Sequence, residues 1–177
     1  LIDSLRHAWA DRQDVYIGGN MFVYFSPDQV RNQDYRGPDF FVVQNARPNP
    51  DRQAWVVWEE GGRTPDLVVE LLSASTKEFD LDGKKSIYRK KLKTPDYVVC
   101  DPLAPDSSLQ GWHLQAQRYQ KIPPNDRGWL WCDSLGLWLG TWYGTIKQET
   151  KTWLRFYDVT GQLLLLPEED ERRQKED

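Results

Sequence analysis

The chain has 177 residues, 13% of them aromatic with nine Trp, and a formal net charge of −4 from 23 basic and 27 acidic side chains. This is long and apolar enough for one domain with a real core, which excludes an intrinsically disordered chain. The acidic balance speaks against a tight, non-specific nucleic-acid binder and leaves room only for a local basic patch, and no apolar run approaches the roughly 18 residues that span a bilayer.

Leu1 to about Trp9 reads as a helix end, with Ile2, Leu5 and Trp9 on one face. VYIGGNMFVYFS (Val15–Ser26) follows as a strand pair or a bent strand, with Gly18-Gly19-Asn20 as its turn or bulge. In GPDFFVV, the run from Asp39 to Val43 stands directly behind a Gly-Pro breaker and reads as a strand. AWVVWEEGG (Ala54–Gly62) is a further expected strand, closed by glycines.

PDLVVELLSAST, from Pro65 to Thr76, holds a buried strand over Asp66–Leu72 with one discordant residue, Glu70. An ionised carboxylate taken out of water costs several kcal/mol unless something compensates it. STKEFDLDGKKSIYRKKLK then reads as a loop leading to a helix. Ser75 and Thr76 offer turn or cap oxygens, Asp80 or Asp82 caps the start, and Thr94-Pro95 ends it. DYVVCDP (Asp96–Pro102) is the next strand. A strand, a helical crossover and a strand imply a parallel pair, so the core is α/β.

The segments GWHLQAQRYQKI, GWLWCDSLGLWLGTWYG and TWLRFYDVTGQLLLLP are Trp-rich, punctuated by Gly and without helical period. They read as a meander of antiparallel strands packed beside the core. Trp55, Trp58, Trp129, Trp131 and Trp138 are expected mostly in the core or at a subunit contact. The tail EEDERRQKED has no apolar residue and reads as a solvated or frayed helix.

Cys100 and Cys132 are too few for a disulfide framework and lack zinc spacing, which suits reduced thiols in a cytoplasmic protein. No basic-then-apolar leader is visible, although the chain begins at Leu1 rather than Met. His7 and His113 are the only histidines, so a metal here is held by oxygen, which favours magnesium or manganese.

Glu70 has two candidate acidic neighbours. Asp66, four residues earlier on the same strand, is about 13 Å away, too far to share an ion. Asp39 starts its own strand, and if that strand runs antiparallel to Asp66–Leu72 the two carboxylates converge. They are then expected on the order of 4–6 Å apart, within reach of one bridging ion. On the helix, Leu81, Ile87, Tyr88 and Leu92 form an apolar stripe with Lys84 inside it and Lys85 at its edge. Lys91 also falls inside it but sits near the helix end and can bend out, while Arg89, Lys90 and Lys93 point away. Lys84 can pair with the carboxylates, orient a metal-bound water or stabilise charge developing on a phosphate oxygen. A plain buried ion pair that fixes packing is the alternative.

GPDFFVV, then PDLVVELLSAST, then Asp80, Lys84 and Tyr88 at four-residue spacing, then TPDYVVCDP, together resemble the Uma2 family, abundant in cyanobacteria and similar to the PD-(D/E)XK restriction endonuclease-like nucleases. The resemblance implies a mixed central sheet flanked by helices and an added Trp-rich β meander. It implies one domain over residues 1–167, with a core of about 15–105 and a β-rich extension of about 110–166. On this resemblance residues 168–177 are expected to be a charged tail where a helical extension begins. It also implies a magnesium-dependent endonuclease acting on DNA, with manganese as a substitute. Asp39 and Glu70 would hold the metal, Lys84 would be the catalytic ammonium, and Asp66, Ser73, Asp80 and Tyr88 would support them. The superfamily's Glu-x-Lys would need Lys at position 72, where this chain has Leu72, and the resemblance moves that role to Lys84. No Glu occurs in Leu1–Asp14, where many such nucleases carry one. The alternative is a catalytically inactive module of the same fold that binds or assembles, with the tail mediating homo-oligomers.

Overall fold

The computed structural model describes residues 1–31, 37–73 and 80–177, with backbone only for residues 30, 31, 80 and 81. A six-stranded sheet organises the molecule in the order β1-β3-β5-β6-β7-β8. Its strands are β1 (Val15–Gly18), β3 (Phe40–Gln44), β5 (Leu67–Leu71), β6 (Asp96–Cys100), β7 (Gln110–Gln115) and β8 (Arg118–Lys121). Only β5 and β6 run parallel; every other neighbouring pair in this sheet is antiparallel. A short helix, α2 (Pro27–Arg31), precedes β3, and between the parallel pair lies the expected helical crossover, a π-helical turn (Asp80–Lys84) continuing into helix α3 (Lys85–Lys90). The architecture is a mixed α+β fold of restriction endonuclease-like type.

Side chains alternate across each strand, so the central strands bury both faces and read as near-continuous apolar runs. Phe41, Val43, Val68 and Val99 face one side, where Tyr88, Leu92 and Tyr97 complete the layer. Phe40, Val42, Leu67, Val69 and Val98 face the other, against Leu130, Leu139 and Phe156. Burying each such aliphatic side chain is worth roughly 1.5–3 kcal/mol. Helix α1 (Ile2–Ala8) closes this second layer with fully buried Leu5 and flanking Ile2 and Trp9, as its periodicity predicts.

Several expectations need correction. The Gly18-Gly19-Asn20 segment does not join a hairpin: β1 pairs with β3, while β2 (Val23–Tyr24) pairs in parallel with β4 (Trp55–Val56). Ala54–Gly62 is not one strand. After β4 the chain coils into a 3-10 turn (Val57–Glu59) and turns back at Gly61 and Gly62, both at positive φ. The turn is fastened by the Trp55 indole N–H, which donates to Arg63 O at 2.8 Å. Trp55 and Trp129 are buried as expected, while Trp58 is 46% exposed and lies outside the core. Trp131 and Trp138 are half-buried and pack edge to face at 5.0 Å.

The Trp-rich region divides in two. Strands β7 and β8 extend the main sheet instead of lying beside it. Strands β9 (Leu130–Cys132), β10 (Leu137–Ile146) and β11 (Glu149–Tyr157) form a separate antiparallel sheet that covers one face. A short helix, α4 (Pro105–Ser108), connects β6 to β7. The tail is helix α5 (Pro167–Glu176), and it is pinned rather than free. Buried Arg155 donates to Glu169 Oε2 at 2.7 Å, and His7 bonds Asp170 at 3.1 Å. Among the described residues no helix is long and apolar enough to cross a membrane.

Candidate metal centre

Two Pro-Asp pairs open the antiparallel strands β3 and β5, and each aspartate fastens the far end of its partner strand. Asp39 Oδ2 accepts the Leu71 N–H at 2.7 Å; Asp66 Oδ2 accepts the Gln44 N–H, also at 2.7 Å. Since Phe40 pairs with Val69 and Phe41 with Val68, one further step of the register sets Asp39 opposite Glu70. Glu70 shares the sheet face of Val68 and Leu72, the face covered by α3, and is 1% exposed.

The helix supplies its partners. The Tyr88 hydroxyl donates to Glu70 Oε1 at 2.8 Å, and Lys84 Nζ donates to Oε2 at 3.4 Å. Lys84 and Tyr88 are four residues apart, the spacing that puts two side chains on one helix face. Lys84 ends the π-helical turn, a widened geometry that recurs at functional sites. Its side chain remains 24% exposed, so it bridges the buried carboxylate and solvent. Burial pushes the Glu70 carboxyl up to about 7, and the nearby Asp39 charge pushes the same way. Lys84 and the Tyr88 hydrogen bond oppose the rise.

Asp39, Glu70, Lys84 and Tyr88 are thus gathered at one end of β5. Asp66 is not. It sits at the other end of the strand, where burial raises its pKa and Asp96 adds to the rise. Ser73 lies exposed two residues past β5, and the Asp80 side chain, like Ser75 and Thr76, falls outside the described residues. Leu72, at the position where the superfamily carries lysine, is buried in the apolar layer.

Sequence reasoning missed what Asp66 belongs to. A third Pro-Asp pair, Pro95-Asp96, opens β6, and fully buried Asp96 accepts from His113 Nδ1 at 2.7 Å and from the Ser134 backbone N–H at 2.8 Å. The Ser134 hydroxyl bonds both Asp96 and Asp66 O. This network ties the turn between β9 and β10 to the start of the two parallel strands. The repeated Pro-Asp was the available signal.

The residues at the β3/β5 end suit a hard divalent ion. The carboxylates of Asp39 and Glu70 offer oxygens, and among the described residues no hydrogen bond engages Asp39 Oδ1. The Lys84 ammonium meets Glu70, whose buried carboxyl resists ionisation with the Asp39 charge nearby. No group of three or more His, Cys, Asp or Glu side chains assembles among the described residues. Two carboxylates with water completing the shell is the usual protein share of a magnesium site.

Gly19 protects this arrangement. A Cβ there would lie 2.5 Å from Asp39 O and 2.9 Å from the Ile2 side chain. Gly19→Ala is expected to cost about 1–3 kcal/mol and to displace Asp39, read as a lowered denaturation midpoint together with weaker metal binding.

A family model described as "Putative restriction endonuclease" matches residues 1–143. The chain belongs to the Uma2 family. The Uma2 match includes Asp39, Glu70, Lys84 and Tyr88 and ends within β10, before α5. A curated relative in Synechocystis sp. (strain ATCC 27184 / PCC 6803 / Kazusa), "Uncharacterized protein sll1609", is 26% identical over 124 residues. The aligned part covers 68% of this chain and 61% of that relative's length.

Proposed function

We propose that this Uma2 chain is a metal-dependent endonuclease that hydrolyses DNA phosphodiester bonds, with Asp39 and Glu70 holding magnesium or manganese. The observation that carries the reading is Glu70: a carboxylate at 1% exposure, raised to about 7, set beside a second carboxylate and a half-open lysine. A charge this costly to keep out of water has a use when a cation completes it. The family's description supports a nuclease in general, and oxygen donors support a hard ion.

The bound ion would supply charge neutralisation and an activated water. Tyr88 fixes the Glu70 carboxylate from one side, and the Leu71 N–H fixes Asp39, so neither must reorganise during reaction. Lys84 reaches from Glu70 toward solvent, where its ammonium can orient the attacking water or meet charge developing on the phosphate.

The test is cleavage of duplex and single-stranded DNA by purified protein in magnesium or manganese, combined with thermal unfolding. Magnesium at ten times its Kd is expected to stabilise the fold by about 1.4 kcal/mol. That corresponds to a rise of roughly 3–6 °C for a chain of this size, absent in Asp39→Asn. Leu72 at the superfamily's lysine position favours the second reading, a non-catalytic binding or assembly module. Magnesium stabilisation without cleavage of any DNA would select it.

A further inference from the structure

In a chain of net charge −4, one cleft is lined by three cations and a tyrosine. Lys85 and Arg89 on α3, with Arg118 and Tyr119 at the start of β8, line a cleft of about 320 Å³. Among the described residues none of the three cations forms an ion pair. Lys85 Nζ lies over the Trp112 ring at 4.2 Å, and Arg89 Nη1 donates to Gln117 O at 3.2 Å. That second bond locks α3 to the β7–β8 hairpin, whose turn residues Ala116 and Gln117 both adopt positive φ. Two held cations and an exposed one, unpaired among the described residues, make a preorganised seat for an anion with several oxygens.

The cleft also lies next to the candidate metal centre along the chain. Lys84 and Tyr88 form one four-residue row that meets Glu70. Lys85 and Arg89 form the adjoining row that lines the cleft. We infer that this cleft is a backbone-phosphate site that seats a nucleic-acid strand beside Glu70 and Lys84. The inference rests on the nuclease reading for what happens to the strand, but not for its binding. The contact is to phosphate oxygens, so it positions the strand without reading its sequence. Free phosphate shares the same chemistry.

Fluorescence anisotropy of a labelled duplex oligonucleotide, measured in EDTA across a salt series, tests the inference without cleavage. Arg118→Ala and Lys85→Ala are each expected to lower the slope of log affinity against log salt by about 0.9. Affinity near physiological salt should fall about three- to tenfold for any sequence. Arg89 is left intact because it holds the hairpin, and Lys175→Ala, on the distant α5, should change nothing. Wild-type slope and affinity in the double variant would overturn the site, as would a wild-type protein that binds no oligonucleotide. Displacement by millimolar inorganic phosphate, at matched ionic strength, would overturn the strand in favour of free phosphate. Cleft-dependent binding without metal-dependent cleavage supports this site and sinks the nuclease reading. Cleavage with unaltered binding by Arg118→Ala does the reverse.

Discussion

Glu70→Ala and Lys84→Ala are each expected to reduce metal-dependent DNA cleavage by roughly 10²–10³-fold or more, the scale at which removing one group that stabilises transition-state charge is felt. Among the described residues Glu70 is one of two carboxylates at the site, and Lys84 is its one ammonium partner. The loss should appear in kcat, because both groups act on charge that develops during reaction. Tyr88→Phe removes only the hydroxyl that orients Glu70. Its effect should be smaller, about tenfold, and accompanied by weakened metal binding, which separates positioning from chemistry. Single-turnover cleavage with saturating metal distinguishes the three. Full activity in Lys84→Ala would remove the lysine from the mechanism.

The second large effect is on stability and has a definite direction. Glu70 is raised to about 7 in the fold, against an ordinary value of 4.5. Between those pH values the native state binds more protons than the unfolded chain, so stability falls as pH rises. The fold keeps the full benefit below about pH 4.5 and has lost it above about pH 7, a difference on the order of 3 kcal/mol. Glu70→Gln removes this dependence. The amide carbonyl can still accept from Tyr88, while the amide nitrogen faces Lys84 and costs about 1 kcal/mol at every pH. The variant should therefore be slightly less stable than wild type at pH 5 and more stable at pH 8, by several degrees in Tm. Saturating magnesium at pH 8 should restore much of the wild-type stability and leave the variant unmoved. Parallel pH profiles for the two proteins would show that Glu70 is not the strained group.

The central features were legible because each broke a local pattern. Glu70 interrupts an apolar strand, Lys84 interrupts an apolar helix stripe, and Asp39 follows a proline at a strand start. Such breaks survive in sequence because the rule they violate is local, with a period of two or 3.6 residues. The parallel β5–β6 pair followed from a crossover length for the same reason. What escaped depends on distant partners. The resemblance gave Asp66 a supporting role at the Glu70 site, but its environment is set by Asp96 and by Ser134, which lies 68 residues further along. Trp58 was expected in the core or at a subunit contact because Ala54–Val57 beside it is apolar and reads as a strand. Two positive-φ glycines and the Trp55–Arg63 bond turn that segment before it can extend. The tail looked free because its anchor is a carboxylate meeting a buried arginine, and burial of Arg155 is invisible in an alternating strand. The division of the Trp-rich region between two sheets is a matter of pairing order, which composition does not encode.

Manganese located by anomalous diffraction tests the metal centre most directly. Crystals grown above pH 7 and soaked in manganese should show one strong peak coordinated by Asp39 and Glu70, lost in crystals of Asp39→Asn. Manganese that supports cleavage in solution but leaves no peak between these carboxylates, or binds elsewhere on the chain, would contradict the account.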